Sequence, residues 1–136
     1  KDPKSPAVIA QNEKLRSVLK IAIAADKGID ATVLMANVMF NSFADIINES
    51  ILIKGNKPDD IKKKADLKAR ANAKVDEGIP YAENAVKYFE SQPKLKAMER
   101  ANYKIMLDHL SEMYNAKGNK AKVAEYEAKN KAADKL

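Results

Sequence analysis

Apolar residues recur every three to four positions along almost the whole chain, and the breaks in that rhythm divide it into five helical segments. The first is predicted over 6–27. Ser5 offers a capping hydroxyl ahead of Pro6, and Val8, Leu15, Val18, Leu19, Ala22 and Ile23 keep the period as far as Lys27-Gly28. The second is predicted over 31–54, with Asp30 as its cap and Gly55 available as a left-handed stop. Val33, Ala36, Phe40, Phe43, Ile47 and Ile51 form one stripe, which Leu34, Met35, Val38, Met39, Ile46 and Leu52 widen. So broad an apolar face places this helix centrally, with neighbours on more than one side.

The third segment is predicted over 59–91, after the turn Lys57-Pro58-Asp59-Asp60. Its first half is rich in Ala and Lys, with a thin stripe of Ile61, Ala65, Ala69 and Asn72. Its second half carries Val75, Ile79, Ala82, Val86 and Phe89. Pro80 removes the bond its nitrogen would donate to Asp76, which predicts a kink near 78–80 rather than a break. The fourth helix is predicted over 94–117 from Pro93, with Met98, Ala101, Ile105, Met106, Leu110, Met113 and Tyr114, and ends at Gly118. Asn119 then caps a weakly amphipathic fifth helix over 120–135. Short connections make sequential helices antiparallel neighbours. The expected fold is therefore all-α, an array of antiparallel helical hairpins in a single domain spanning 1–136.

Composition narrows the class further. With 136 residues, 46% hydrophobic, 4 Gly, 5 Pro and no Cys, the chain is neither disordered nor low-complexity, and it lacks disulfides and thiolate metal sites. The apolar run 31–40 is broken by Thr32 and Asn37 and is too short to span a bilayer. An opening KDPKSP without an initiator Met reads as a trimmed or mature piece of a longer chain.

The stretch LDHLSEMYNAKGNKAKVAEYEAKNKA, from Leu107 to Ala132, resembles a tetratricopeptide repeat. It has Leu110, small Ser111, Tyr114, the Gly118-Asn119 turn, and Val123 and Tyr126 on the return helix. MANVMFNSF, from Met35 to Phe43, looks like the first helix of another unit, with Ala36 small and Met39 where Tyr is usual. GIPYAENAV, with Gly78 and Ala85 small, looks like its partner. About 30 extra residues between those landmarks would lengthen this hairpin by about four turns on each side. The resemblance implies about two and a half repeats of a right-handed superhelix with one extended hairpin, similar to repeat proteins common in Bacteroidota. It leans towards an exported or periplasmic protein and leaves the compartment open.

Catalysis has little to stand on. His109 is the one histidine, and no nucleophile-base or metal spacing accompanies it. It reads as structural, the five Met as core filler, and Asp59-Asp60 as helix capping. No enzyme activity, cofactor or metal is expected.

Charge is local. Residues 54–74 hold eight Lys/Arg and three Asp/Glu, which marks Lys57, Lys62, Lys63, Lys64, Lys68 and Arg70 as a candidate basic patch. Only three of 25 cations are Arg and no aromatic residue interleaves the run, which argues against nucleic acid. The first reading of the run is a solvated helix face; an acidic protein partner, nucleic acid or anionic lipid are the alternatives.

The family resemblance also implies a concave groove lined by the first helix of each hairpin, where Asn37, Asn41, Asp108, Glu112 and Asn115 fall. The expected function is a protein-interaction or scaffold module that binds a peptide or partner helix there, with the basic hairpin tip as the alternative. Apolar surface over 8–23 should be exposed unless a neighbouring repeat or a homodimer covers it.

Overall fold

The computed structural model describes residues 5–25 and 28–136. These form α1 (Pro6–Ala24), α2 (Ile29–Ile51), α3 (Pro58–Ser91), α4 (Ala97–Ala116) and α5 (Lys120–Ala133), with no strand among the described residues. The fold is all-α. Ser5 Oγ accepts from the Val8 N–H at 3.3 Å, with Pro6 opening α1. The expected end of that helix at Lys27 lies outside the described residues. Asn119 Oδ1 accepts from the Lys122 N–H at 3.1 Å, and Gly118, at φ 72°, makes the left-handed turn before it. The Asp60 carboxylate accepts from the Lys57 N–H at 3.3 Å, so this acid closes the first turn of α3. That helix continues without a break through Pro80.

Several boundaries differ from expectation. The helix at Asp30 begins earlier, at Ile29, because Gly28 at φ 93° turns the chain; Asp30 lies in the first turn, where its charge suits the helix dipole. Gly55 does not stop α2, which ends at Ile51. A Cβ on Gly55 would meet the Asp60 carboxylate, which would have to move from the Lys57 N–H to make room. Finally, α4 starts at Ala97 rather than beside Pro93. Leu95 is buried in the link, and Glu99 accepts from the Lys96 N–H at 3.0 Å.

The helices pack in chain order. Met39 meets Gly78 and Ser50 faces Lys64 across the α2/α3 pair, so the two run antiparallel. Tyr103 donates to Glu90 at 3.1 Å and Lys117 pairs with Asp76, which sets α4 antiparallel to α3. Asn130 reaches back to the Lys104 carbonyl at 3.1 Å, and Lys104 pairs with Asp134, which does the same for α5 on α4. As expected of its wide stripe, α2 touches α1, α3 and α4. It lies parallel to α4, because Asn37 meets His109 while Ile47 and Ala116 share a cleft.

Met35, Ala36, Met39, Val75, Ala82, Ala85, Met106, Leu107, Leu110 and Met113 are almost wholly buried. At the centre Gly78 brings three helices together: a Cβ there would lie 3.1 Å from Met39 Cβ of α2 and 3.3 Å from Met113 Sδ of α4. By contrast α1 buries only Leu19 and is tied to α3 by Arg16, which reaches Glu77 at 2.6 Å. Its outer face leaves Ile9, Val18 and Ile21 exposed, the open apolar surface that the pattern predicts.

The α2/α3 hairpin is the long one. Lys117 fixes the end of α4 beside Asp76, and the 58–76 stretch of α3 then extends roughly 27 Å past that level at 1.5 Å per residue. Only α2 accompanies it over most of this length.

Candidate functional site

The two parallel helices α2 and α4 enclose a shallow cleft of about 370 Å³ between Phe43, Ala44, Ile47 and Asn48 on one wall and Glu112, Asn115 and Ala116 on the other. Along α2 the positions Asn37, Asn41, Ala44 and Asn48 follow one another at helical spacing, and of these Ala44 and Asn48 line the cleft. Asn41 and Asn48 are exposed, as are Glu112 and Asn115. Such amides can both donate to and accept from an extended backbone.

Not every expected residue joins this surface. Asp108 turns to α5 and accepts from Asn130 at 2.5 Å, so it serves the α4/α5 hairpin. Asn37 is half-buried and its Oδ1 accepts from His109 Nε2 at 2.8 Å. That bond leaves the amide donors of Asn37 without a partner among the described residues. Asn48 and Ala44 escaped the sequence reading, although Asn48 lies seven residues after Asn41 on the same stripe, which is the signal that places it.

His109 closes the upper end of the groove. Its ring stacks on Phe40 with centroids 3.8 Å apart and planes 13° from parallel. Burial pushes its pKa down from the ordinary 6.5 to about 4, so the folded chain holds the neutral ring. The unfolded chain takes up a proton below pH 6.5, so this stabilisation is intact above that value and is lost as pH falls towards 4. The full separation corresponds to about 3 kcal/mol, which the partial solvent access of the ring cuts to ~1–2 kcal/mol. Urea denaturation at pH 7, 6 and 5 should show this loss in the wild type and a flatter curve in His109→Gln, which keeps a donor for Asn37. Equal pH dependence in the two proteins would remove His109 as the cause.

The basic residues do not form one patch. At 100° per residue Lys64 and Lys68 share one side of α3, Lys63 and Arg70 fall on another, and Lys62 points outward. Lys57 precedes the helix. Lys64 is half-buried and donates to the Gly55 carbonyl at 2.9 Å. Lys64 and Lys68 do line a second cleft, again about 370 Å³, with Ile47, Ser50, Ala65, Ala71, Asn72 and Ala116. Ile47 and Ala116 belong to both clefts, so the second continues the first beyond the end of α4.

No cluster of three or more His, Cys, Asp or Glu suited to a metal ion occurs among the described residues, and no helix among them is long and apolar enough to cross a membrane. Comparison with models of protein families, with curated proteins and with solved structures finds no match to this chain.

Proposed function

We propose that this chain is a tetratricopeptide-like, non-enzymatic interaction module that takes up an extended peptide or partner helix in the groove between α2 and α4. One observation carries the reading. Two parallel helices, the first of each hairpin, present Ala44, Asn48, Glu112 and Asn115 to a common open cleft. Burial of the small residues Ala36, Gly78 and Ala85, where helix backbones approach closely, agrees with such a repeat. The amides would hold a peptide backbone while Phe43 and Ile47 receive an apolar side chain.

The test is a peptide-display selection on the whole chain, followed by affinity measurements on Ala44→Arg and Asn48→Arg. Both changes fill the cleft from exposed or half-exposed positions without touching the core. Selected peptides should bind each variant at least tenfold more weakly. Unchanged affinity in both would overturn the groove.

A further inference from the structure

We propose that the occupant of the α2/α4 groove is basic: a segment of a protein partner that sets Lys or Arg beside an apolar residue. It rests on the groove being the binding site, as proposed above, and adds the chemistry of the ligand. The chain as a whole is cationic, with 25 Lys and Arg against 19 Asp and Glu. The two walls of the groove are not. On α2 no Lys or Arg occurs from Gly28 to Ile53, and on α4 none from Ile105 to Ala116.

Three carboxylates stand there instead. Glu112 lines the cleft, and Asp108, one turn earlier, lies roughly 40° from it around α4. On α2, Asp45 lies roughly 40° from Asn41 and 60° from Asn48. All three acids are exposed, and none has an ion pair among the described residues. Asp108 accepts from the neutral amide of Asn130, which leaves its charge in place. Several acids elsewhere are matched: Glu77 by Arg16, Glu90 by Lys129, Asp76 by Lys117 and Asp134 by Lys104. The last two pairs also draw Lys117 and Lys104, the cations at either end of the α4 wall, towards α3 and α5. His109 adds no charge, since burial keeps its ring neutral. Lys64 and Lys68 line the second cleft, past Ala116, so the cations of the ligand belong on the Glu112 side of that residue.

Carboxylates without a counter-charge repel an acidic segment and attract a basic one. The amide oxygens of Asn48 and Asn115 can accept N–H groups that a carboxylate leaves over, which suits a guanidinium or an ammonium. Phe43 and Ile47 offer the neighbouring side chain an apolar contact.

The test reads the composition of peptides selected by display on the whole chain. Lys and Arg should be enriched over Asp and Glu. Binding should weaken about tenfold on Glu112→Lys, less on Glu112→Gln, and also with added salt. Selection on the double variant Asp45→Lys, Glu112→Lys should turn to acidic peptides. Ala44→Phe adds bulk without charge and reports on the groove alone. Neutral or acidic binders that Ala44→Phe weakens would overturn the basic ligand and leave the groove standing, as would basic binders indifferent to Glu112→Lys. Binders that ignore Ala44→Phe, or no binders at all, would overturn both. Self-association in sedimentation that Glu112→Lys dissolves would seat the Lys-rich arm of a second copy in the groove and overturn a separate partner.

Discussion

Replacing Glu83 with leucine should destabilise the protein by about 3–4 kcal/mol, because one carboxylate oxygen serves two phenols. Tyr114 donates to Glu83 Oε1 at 2.6 Å and Tyr126 at 3.0 Å, and the two rings stack with centroids 5.8 Å apart. Glu83 belongs to α3, Tyr114 to α4 and Tyr126 to α5, so this single side chain joins three helices. Hydrogen bonds to a charged group are worth about 1.5–3 kcal/mol each, and leucine would leave two part-buried hydroxyls without this acceptor. Tyr126→Phe, which removes one donor and leaves the other bond intact, should cost roughly 1–1.5 kcal/mol. Chemical denaturation of the two single variants and the double variant tests the shared acceptor. Additive losses would mean that the tyrosines find other partners when Glu83 is gone.

The same cluster sets the alkaline limit. Burial first, and the Glu83 carboxylate second, push the Tyr114 phenol up to about 12 and raise Tyr126 as well. Burial and Glu90 push Tyr103 up to about 12. Each phenol holds its proton more tightly in the folded chain. The stabilisation is therefore complete below pH 10 and is lost as pH climbs through 10 to 12. Denaturation midpoints should hold between pH 8 and 9.5 and drop steeply above 10, less so in Tyr126→Phe.

A comparable loss is expected for Gly78→Leu, at more than ~3 kcal/mol, since overpacking a filled interior displaces backbone. Gly78 is where α2, α3 and α4 touch, and the first carbon of any side chain already crowds Met39 Cβ, an atom that cannot swing aside. Gly78→Ala should instead lie within about 1 kcal/mol of wild type. Alanine gains roughly 1 kcal/mol of helix propensity over glycine, which offsets a shift of a few tenths of an ångström by Met39 and the flexible Met113 thioether. Thermal melts of the two variants decide the matter. A Gly78→Leu protein as stable as Gly78→Ala would show that the three-helix contact yields freely.

What sequence could disclose depended on how far each cause reached along the chain. Ser5-Pro6 and Gly118-Asn119 act on backbone groups within three residues, so their turns and caps were legible. The long hairpin was legible too, through the distance between Met39 and Gly78, both of which prove buried. Gly55 misled because α2 ends four residues before it and its surroundings are set by the Asp60 carboxylate, which lies where a Cβ would be, not by its own torsion. Pro93 misled because Leu95 turns into the core and holds the link extended. Within the groove, the Asn37, Asn41 and Asn48 stripe obeys helical arithmetic, yet Asp108 is drawn off by Asn130, twenty-two residues away. The lysines of 54–74 looked like a patch only while their angles around α3 were ignored.

The projecting arm has a consequence for how such a chain can change. Its two helices are antiparallel and share one apolar seam, so a deletion in either arm shifts the tip relative to the body. Loss of one residue turns everything beyond it by about 100° and carries Lys68 or Ser50 off the wall of its cleft. Loss of seven from each helix restores the facing within roughly 20° and shortens the arm by about 10 Å. The reach of the hairpin can thus be reset only in matched double turns, which makes its length a discrete property of the molecule.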